Sequence, residues 1–189
     1  MKKLSVLVAV FLTLMASTVF AASSVEVQRE EIDKLHDQTL TRLYAKYPDA
    51  ERVLKECYAY ATLSNSGVKV LLFGSAHGRG EAINNATGEK VYLHMEEISA
   101  GLGIGATEYD LIFLIANKEA WDSFIVGKTR FGASAEASAS DGYVGGTIEG
   151  AEYVASGIWV YQMTKKGISL EATLNGIKIH ADKKLNGGY

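Results

Sequence analysis

Two stretches of this chain alternate apolar residues with almost bare ones. Ile98, Ala100, Leu102, Ile104 and Ala106 alternate with Ser99, Gly101, Gly103, Gly105 and Thr107; later, Phe131, Ala133, Ala135, Ala137 and Ala139 alternate with Gly132, Ser134, Glu136, Ser138 and Ser140. A period of two belongs to a strand, and a strand lined by glycine, alanine and serine leaves room for close approach. Such room is needed where a sheet curls tightly into a barrel, or where something lies against it. The 19 glycines of the 189 residues, against a single proline, therefore read as a structural requirement of a curved sheet.

The surrounding sequence supplies the other elements. From Arg29 to Tyr47, apolar Ile32, Leu35, Leu40, Leu43, Tyr44 and Tyr47 fall on one side of a helix. Pro48 ends it, and Asp49 is placed to cap a second helix that keeps helical spacing to Thr62. After Gly67 the period changes to two. Val91, Leu93 and Met95 face one way and Lys90, Tyr92 and His94 the other, with the turn at Asn84 to Gly88 before them. Leu111 to Ala116 is apolar on both faces and reads as a central strand; Asn117 caps a short helix carrying Ala120, Trp121, Phe124 and Ile125. Asp141 to Gly150 reads as a glycine-rich loop, and a last hairpin turns at Asn175-Gly176. The expected class is α+β: N-terminal amphipathic helices packed on a strongly curved, barrel-like antiparallel β-sheet.

Met1-Lys2-Lys3 followed by an apolar run and Val19-Phe20-Ala21 reads as a secretory signal, cleaved after Ala21 or Ala22. The apolar run is shorter than the roughly 20 residues a retained membrane anchor needs. Three segments follow: a signal peptide over 1–21, an N-terminal amphipathic helix over 22–48 and one domain over 49–189, in a periplasmic or secreted protein, with peripheral membrane association open. Loss of Lys2 and Lys3 takes the basic count from 19 to 17 against 22 acidic residues, a formal charge of −5. Bulk electrostatics thus disfavour nucleic acid. One cysteine, Cys57, allows no internal disulfide and reads as a buried, inert thiol. An outer-membrane barrel is disfavoured by the two helices and the polar Ala181 to Tyr189 tail.

Catalytic and nucleotide motifs are weak. Gly74 to Gly80 lacks the Gly-Lys-Ser/Thr of a phosphate loop, Gly101 to Gly105 alternates like a strand, and Ser134 sits inside a strand pattern. His36, His77, His94 and His180 are far apart in sequence and read as surface or rim residues, although folding can gather some of them. No catalytic residue, metal site or cofactor is expected; three titratable side chains converging in one deep pocket would favour an enzyme. The candidate site is basic: Lys69, Arg79, Lys128, Arg130, Lys165 and Lys166, each near the end of an expected strand. If the strand ends meet on one rim, these residues form a phosphate-binding patch in an acidic protein; if they scatter, they are solvated charges.

The order of motifs resembles a known family. Val68 to Ala82 with its Gly78-Arg79-Gly80, Ile98 to Ala106, Tyr109 to Asn117, Phe131 to Ser138 and Tyr161 to Ala172 are together similar to the core of the SYLF domain, over about Ala50 to Asn186. Tyr58 to Ser64 departs from the family's Ala-Ile-Phe-Pro segment, and Gln162 and Thr164 replace serine-like and basic positions. The resemblance implies a non-enzymatic phospholipid-binding module, with phosphoinositides bound in eukaryotic relatives, some of which also bind actin filaments. Bacterial relatives are exported or lipid-anchored, so actin is not carried over. The implied partner is anionic phospholipid or a membrane surface, contacted by the six basic residues. A protein-interaction or envelope-structural role without a lipid ligand, its protein partner unknown, is the alternative. The helix over Arg29 to Tyr47 either lies on the bilayer or packs on the sheet; its acidic polar face favours packing.

Overall fold

The computed structural model describes residues 2–131, 148–166 and 177–188, with side chains described for 24–65, 77–96, 108–131, 148–163 and 177–188. The second bare-faced strand beyond Phe131, most of the Asp141 to Gly150 loop and the Asn175-Gly176 turn lie outside the described residues. The elements run α1 (Lys2–Lys46), α2 (Ala50–Glu56), β1 (Ala59–Asn84), β2 (Lys90–Ile115), α3 (Lys118–Ile125), β3 (Ala151–Ala155), β4 (Ile158–Lys166) and β5 (Ile177–Ala181). The protein is α+β, with the N-terminal helices packed on a strongly curved antiparallel sheet. Among the described residues the sheet has the order β1-β2-β4-β3, and β5 also pairs with β2.

The sheet is built on one long hairpin. β1 and β2 pair from Ala59↔Ile115 to Ile83↔Lys90, with a register shift between Leu71 and Phe73. Along its other edge β2 pairs first with β5, over Leu93 to Glu97, and then with β4, over Glu108 to Ile115. β1 also turns back on itself. A Cβ on Gly80 would meet the Thr62 carbonyl oxygen, and one on Gly78 would lie 3.2 Å from that of Ser64. The two ends of one strand are thus face to face, which is the close approach that bare positions permit.

Alternation sorts the core into two layers. Leu111, Phe113 and Ile115 join Ala59, Ala61, Leu63, Val91, Leu93, Met95 and the α3 residues Trp121 and Phe124 inside the curl. Ile112 and Leu114 point the other way, against Leu43 of α1, Leu54 of α2 and Tyr161 of β4. A strand buried on both faces is what the unbroken apolar run required. Asn117 caps α3 as expected, its side chain accepting from the Ala120 N–H at 2.9 Å.

The helical reading of residues 57–62 is corrected. α2 ends at Glu56 because Cys57 is extended, and the strand begins at Ala59, eight residues before the expected change at Gly67. Cys57, Tyr58 and Ala61 fit a helical period, but Ala59, Ala61 and Leu63 fit a strand equally well, and pairing with Ile115 to Leu111 decides it. Asp49 makes no side-chain cap bond. Instead the Asn85 amide donates to the carbonyls of Leu54 and Cys57, at 2.7 and 2.9 Å, tying the hairpin turn to the end of α2. Cys57 is buried, its thiol donating to the Leu54 carbonyl at 3.0 Å, and burial pushes its pKa up to about 12.

α1 packs on the sheet, and its seam is more polar than its apolar stripe suggested. Among its described side chains, Ile32, His36, Thr39 and Leu43 are buried. Arg29 donates to the Leu185 carbonyl, and Arg42 meets Asp110 at 2.7 Å, where Ser64 donates to the second oxygen at 2.6 Å.

Candidate functional site

Polar groups gather in two places, and they differ in kind. The first lies under α1. His36 and Glu81 are 8% and 2% exposed. The His36 Nδ1 is 2.8 Å from Thr62 Oγ1 and 3.3 Å from Glu81 Oε1, so one ring bridges the two ends of β1. Lys90 lies 3.0 Å from Asp33 and 3.1 Å from Glu81 Oε2, the latter an ion pair without hydrogen-bond alignment. Burial, together with a hydrogen bond to the Asp33 carboxylate, pushes the Glu81 pKa up to about 7. Burial holds His36 down at about 4. Burial also opposes the Asp33 charge, but hydrogen bonds from Glu81, Lys90 and Tyr92 outweigh it and hold Asp33 below the usual carboxylate range. These groups titrate against one another inside a helix–sheet seam and bind the helix to the sheet. His36 is therefore not the surface histidine the sequence suggested.

The second place is the outer face of β1, β2 and β5. Antiparallel register puts directly paired residues on the same face. His94 pairs with Arg79 on one side and with His180 on the other. Glu96, two residues on, pairs with His77 and with Lys178. Two adjacent rows result, Arg79–His94–His180 and His77–Glu96–Lys178. The rings meet within and between the rows: His94 is 5.6 Å from His180 in its own row and 6.2 Å from His77 in the next, centroid to centroid. Three of the four histidines are thereby gathered, although no group among the described residues has the arrangement to hold a metal ion.

The rows end at an open cleft of about 430 Å³ lined by Ile125, Val126, Lys178, His180, Ala181 and Lys183. The end of α3 forms its apolar wall, and Val126 is 58% exposed there. Gly127, at φ +73°, lets the chain turn against β5; a Cβ there would lie 3.1 Å from the Ile179 carbonyl oxygen. Cationic groups beside an exposed apolar edge suit an amphiphile with an anionic head.

Of the six basic residues, side chains are described for Arg79, Lys128 and Arg130. Arg79 enters the first row, opposite His94. Lys128 follows Gly127 beside β5 and is exposed. Arg130 is exposed too, next to Phe131, whose ring packs on Phe113 at 5.4 Å. Lys69 sits beyond the register shift in β1, opposite Gly105, and Lys166 ends β4 opposite Glu108, with Lys165 before it; these three side chains lie outside the described residues. Sequence reasoning missed Lys178, Lys183 and the histidine rows. Alternation does turn His77, His94 and His180 outward, but only strand register brings them together.

Comparison with known proteins gives two matches. The family described as "Ysc84: Las17-binding protein actin regulator" matches residues 96–189. Beta cell expansion factor A of Aeromonas veronii is 31% identical over 160 residues, which is 83% of this chain and 58% of the relative. The chain thus spans less than two thirds of that relative's length.

Proposed function

We propose, from the premise that the chain belongs to the SYLF (Ysc84) family, that it binds anionic phospholipid, without catalysis, in the cell envelope after loss of its leader. The observation that carries this reading is the cleft between α3 and β5, where Lys178, His180 and Lys183 stand beside Ile125 and Val126. A phosphate needs charged donors, and the glycerol and upper acyl carbons need apolar surface; the cleft offers both within one lipid's reach. Arg79, in the row that ends at His180, and exposed Lys128, which follows Gly127 beside β5, add cations nearby, in a chain whose formal charge goes from −3 to −5 without Lys2 and Lys3. Binding must therefore be local rather than driven by the field of the whole protein.

The test is sedimentation with phosphatidylglycerol and phosphatidylcholine vesicles. Retention on the anionic vesicles alone, weakened by salt and abolished by Lys178→Glu with Lys183→Glu, is the expected result. Equal behaviour on both vesicles would overturn the reading, and absence of binding to either would point to a protein partner instead.

A further inference from the structure

The two rows beside the cleft hold more titratable groups than phosphate recognition requires. Arg79 and Lys178 against Glu96 leave one formal positive charge; three protonated imidazoles raise it to four. Histidine is the side chain whose charge changes between about pH 5 and 8. Every neighbouring element contributes to this balance. β1 presents His77 and Arg79, β2 His94 and Glu96, and β5 Lys178 and His180. The next row along the same face holds Glu81, which is buried under α1 beside Asp33 and Lys90 and loses charge as pH falls through about 7; substituting the histidines leaves it unchanged. Lys128 follows α3, and Lys183 lines the cleft after β5. The Asp182 carboxylate, one oxygen of which accepts from the backbone N–H groups of Lys184 and Leu185 at 2.9 and 3.0 Å, keeps its negative charge beside Lys183 at every pH compared. Glu96 is the acid of the rows, 3.7 Å from His94 Nε2.

The His180 hydrogen bond shows how proton uptake would act. Its Nδ1 lies 3.0 Å from the Ala181 carbonyl oxygen, which can only accept. Nδ1 therefore carries a hydrogen, and in the neutral ring Nε2 is an acceptor that repels an anion. A proton at Nε2 turns the ring of His180, a residue of the cleft wall, into a charged donor. No rearrangement of the sheet is needed.

Resting on the phospholipid reading above, we infer that the His77, His94 and His180 rows form a proton-gated anion site, so that the protein engages an anionic bilayer more tightly as pH falls. The gate adds charge where head groups sit, rather than exposing new apolar surface.

The experiment measures vesicle affinity at pH 5.5 and 7.5, at constant ionic strength, for the purified chain. On phosphatidylglycerol vesicles the affinity is expected to rise on the order of 10- to 100-fold at the lower pH, each added charge near the surface being worth about fivefold. His94→Gln with His180→Gln should bring that ratio to about fivefold or less. Arg79→Gln should weaken binding at both values and keep the ratio. A wild-type ratio near one with anionic vesicles still preferred would overturn the gate and leave the lipid reading standing; no retention at either pH would overturn both. A double variant that keeps the full ratio overturns the gate. So does equal acid-induced retention on phosphatidylcholine, or loss of the near-ultraviolet circular dichroism signal at pH 5.5, because either would trace binding to an opened core.

Discussion

A Cβ on Gly80 would collide with the carbonyl oxygen of Thr62, eighteen residues earlier on the same strand. The obstacle is backbone at both ends of β1, so neither side can yield by changing a rotamer. Gly80→Ala is expected to destabilise the protein by at least about 3 kcal/mol, above the usual cost of overpacking. Gly78→Ala should cost less, because the first atom its methyl would meet is the mobile Cε of Met95, at 2.6 Å. Gly88→Ala, in open space at φ +73°, should cost only about 1 kcal/mol. Thermal melts of the three variants check the order; equal losses would mean that β1 is not closed at this contact.

His36 and Glu81 make opposite contributions to stability as pH changes. With Glu81 raised from 4.5 to about 7, the native state holds a proton that the unfolded chain releases, so stability falls as pH rises across that window. With His36 lowered from 6.5 to about 4, the native state refuses a proton that the unfolded chain takes, so stability rises from pH 4 to 6.5. The two nearly cancel in the wild type. Glu81→Gln should expose the His36 trend, a gain of up to about 3 kcal/mol between pH 4 and 6.5. His36→Gln should expose the reverse, a loss of similar size between pH 4.5 and 7. Urea unfolding at several pH values reads both, and parallel profiles in the two variants would show the pair to be miscast.

Asp110 is fully buried, and Arg42 bridges it to α1 while itself 36% exposed. Removing the cation leaves a buried carboxylate with only Ser64 and its other neighbours. Arg42→Ala should therefore cost about 3 kcal/mol, whereas Arg42→Ala with Asp110→Asn should recover at least half of that loss. A double-mutant cycle by chemical denaturation measures the coupling, and additive losses would show that the pair does not hold the helix.

The elements that sequence revealed are those whose pattern is local. Leu111 to Ile115 is buried on both faces, Asn117 caps α3, and Val91, Leu93 and Met95 point inward, all as alternation and capping chemistry imply. Residues 57–62 were ambiguous because small residues satisfy two periods at once, and only pairing with β2 chooses between them. The β3–β4 hairpin carries a local turn signal, the Ser156-Gly157 pair, with Gly157 at φ +67°. The site was less legible. Basic residues near strand ends can be counted, but their meeting depends on register between strands distant in sequence. That register puts His180 beside His94 and Arg79, and leaves Lys69 on the far side of the shift in β1.

Val126 tests whether the cleft is a contact surface rather than a place where charges happen to lie. It is 58% exposed at the end of α3, so its substitution removes little from the core. Val126→Asp should leave stability within about 0.5 kcal/mol of wild type. On phosphatidylglycerol vesicles it should nevertheless weaken retention about tenfold or more, since it trades apolar contact for repulsion of the head group. Val126→Leu keeps the apolar edge and should bind at least as well as the wild type. Melting curves and vesicle sedimentation on the same preparations separate the two effects. Undiminished retention of Val126→Asp would move the membrane contact away from α3 and β5.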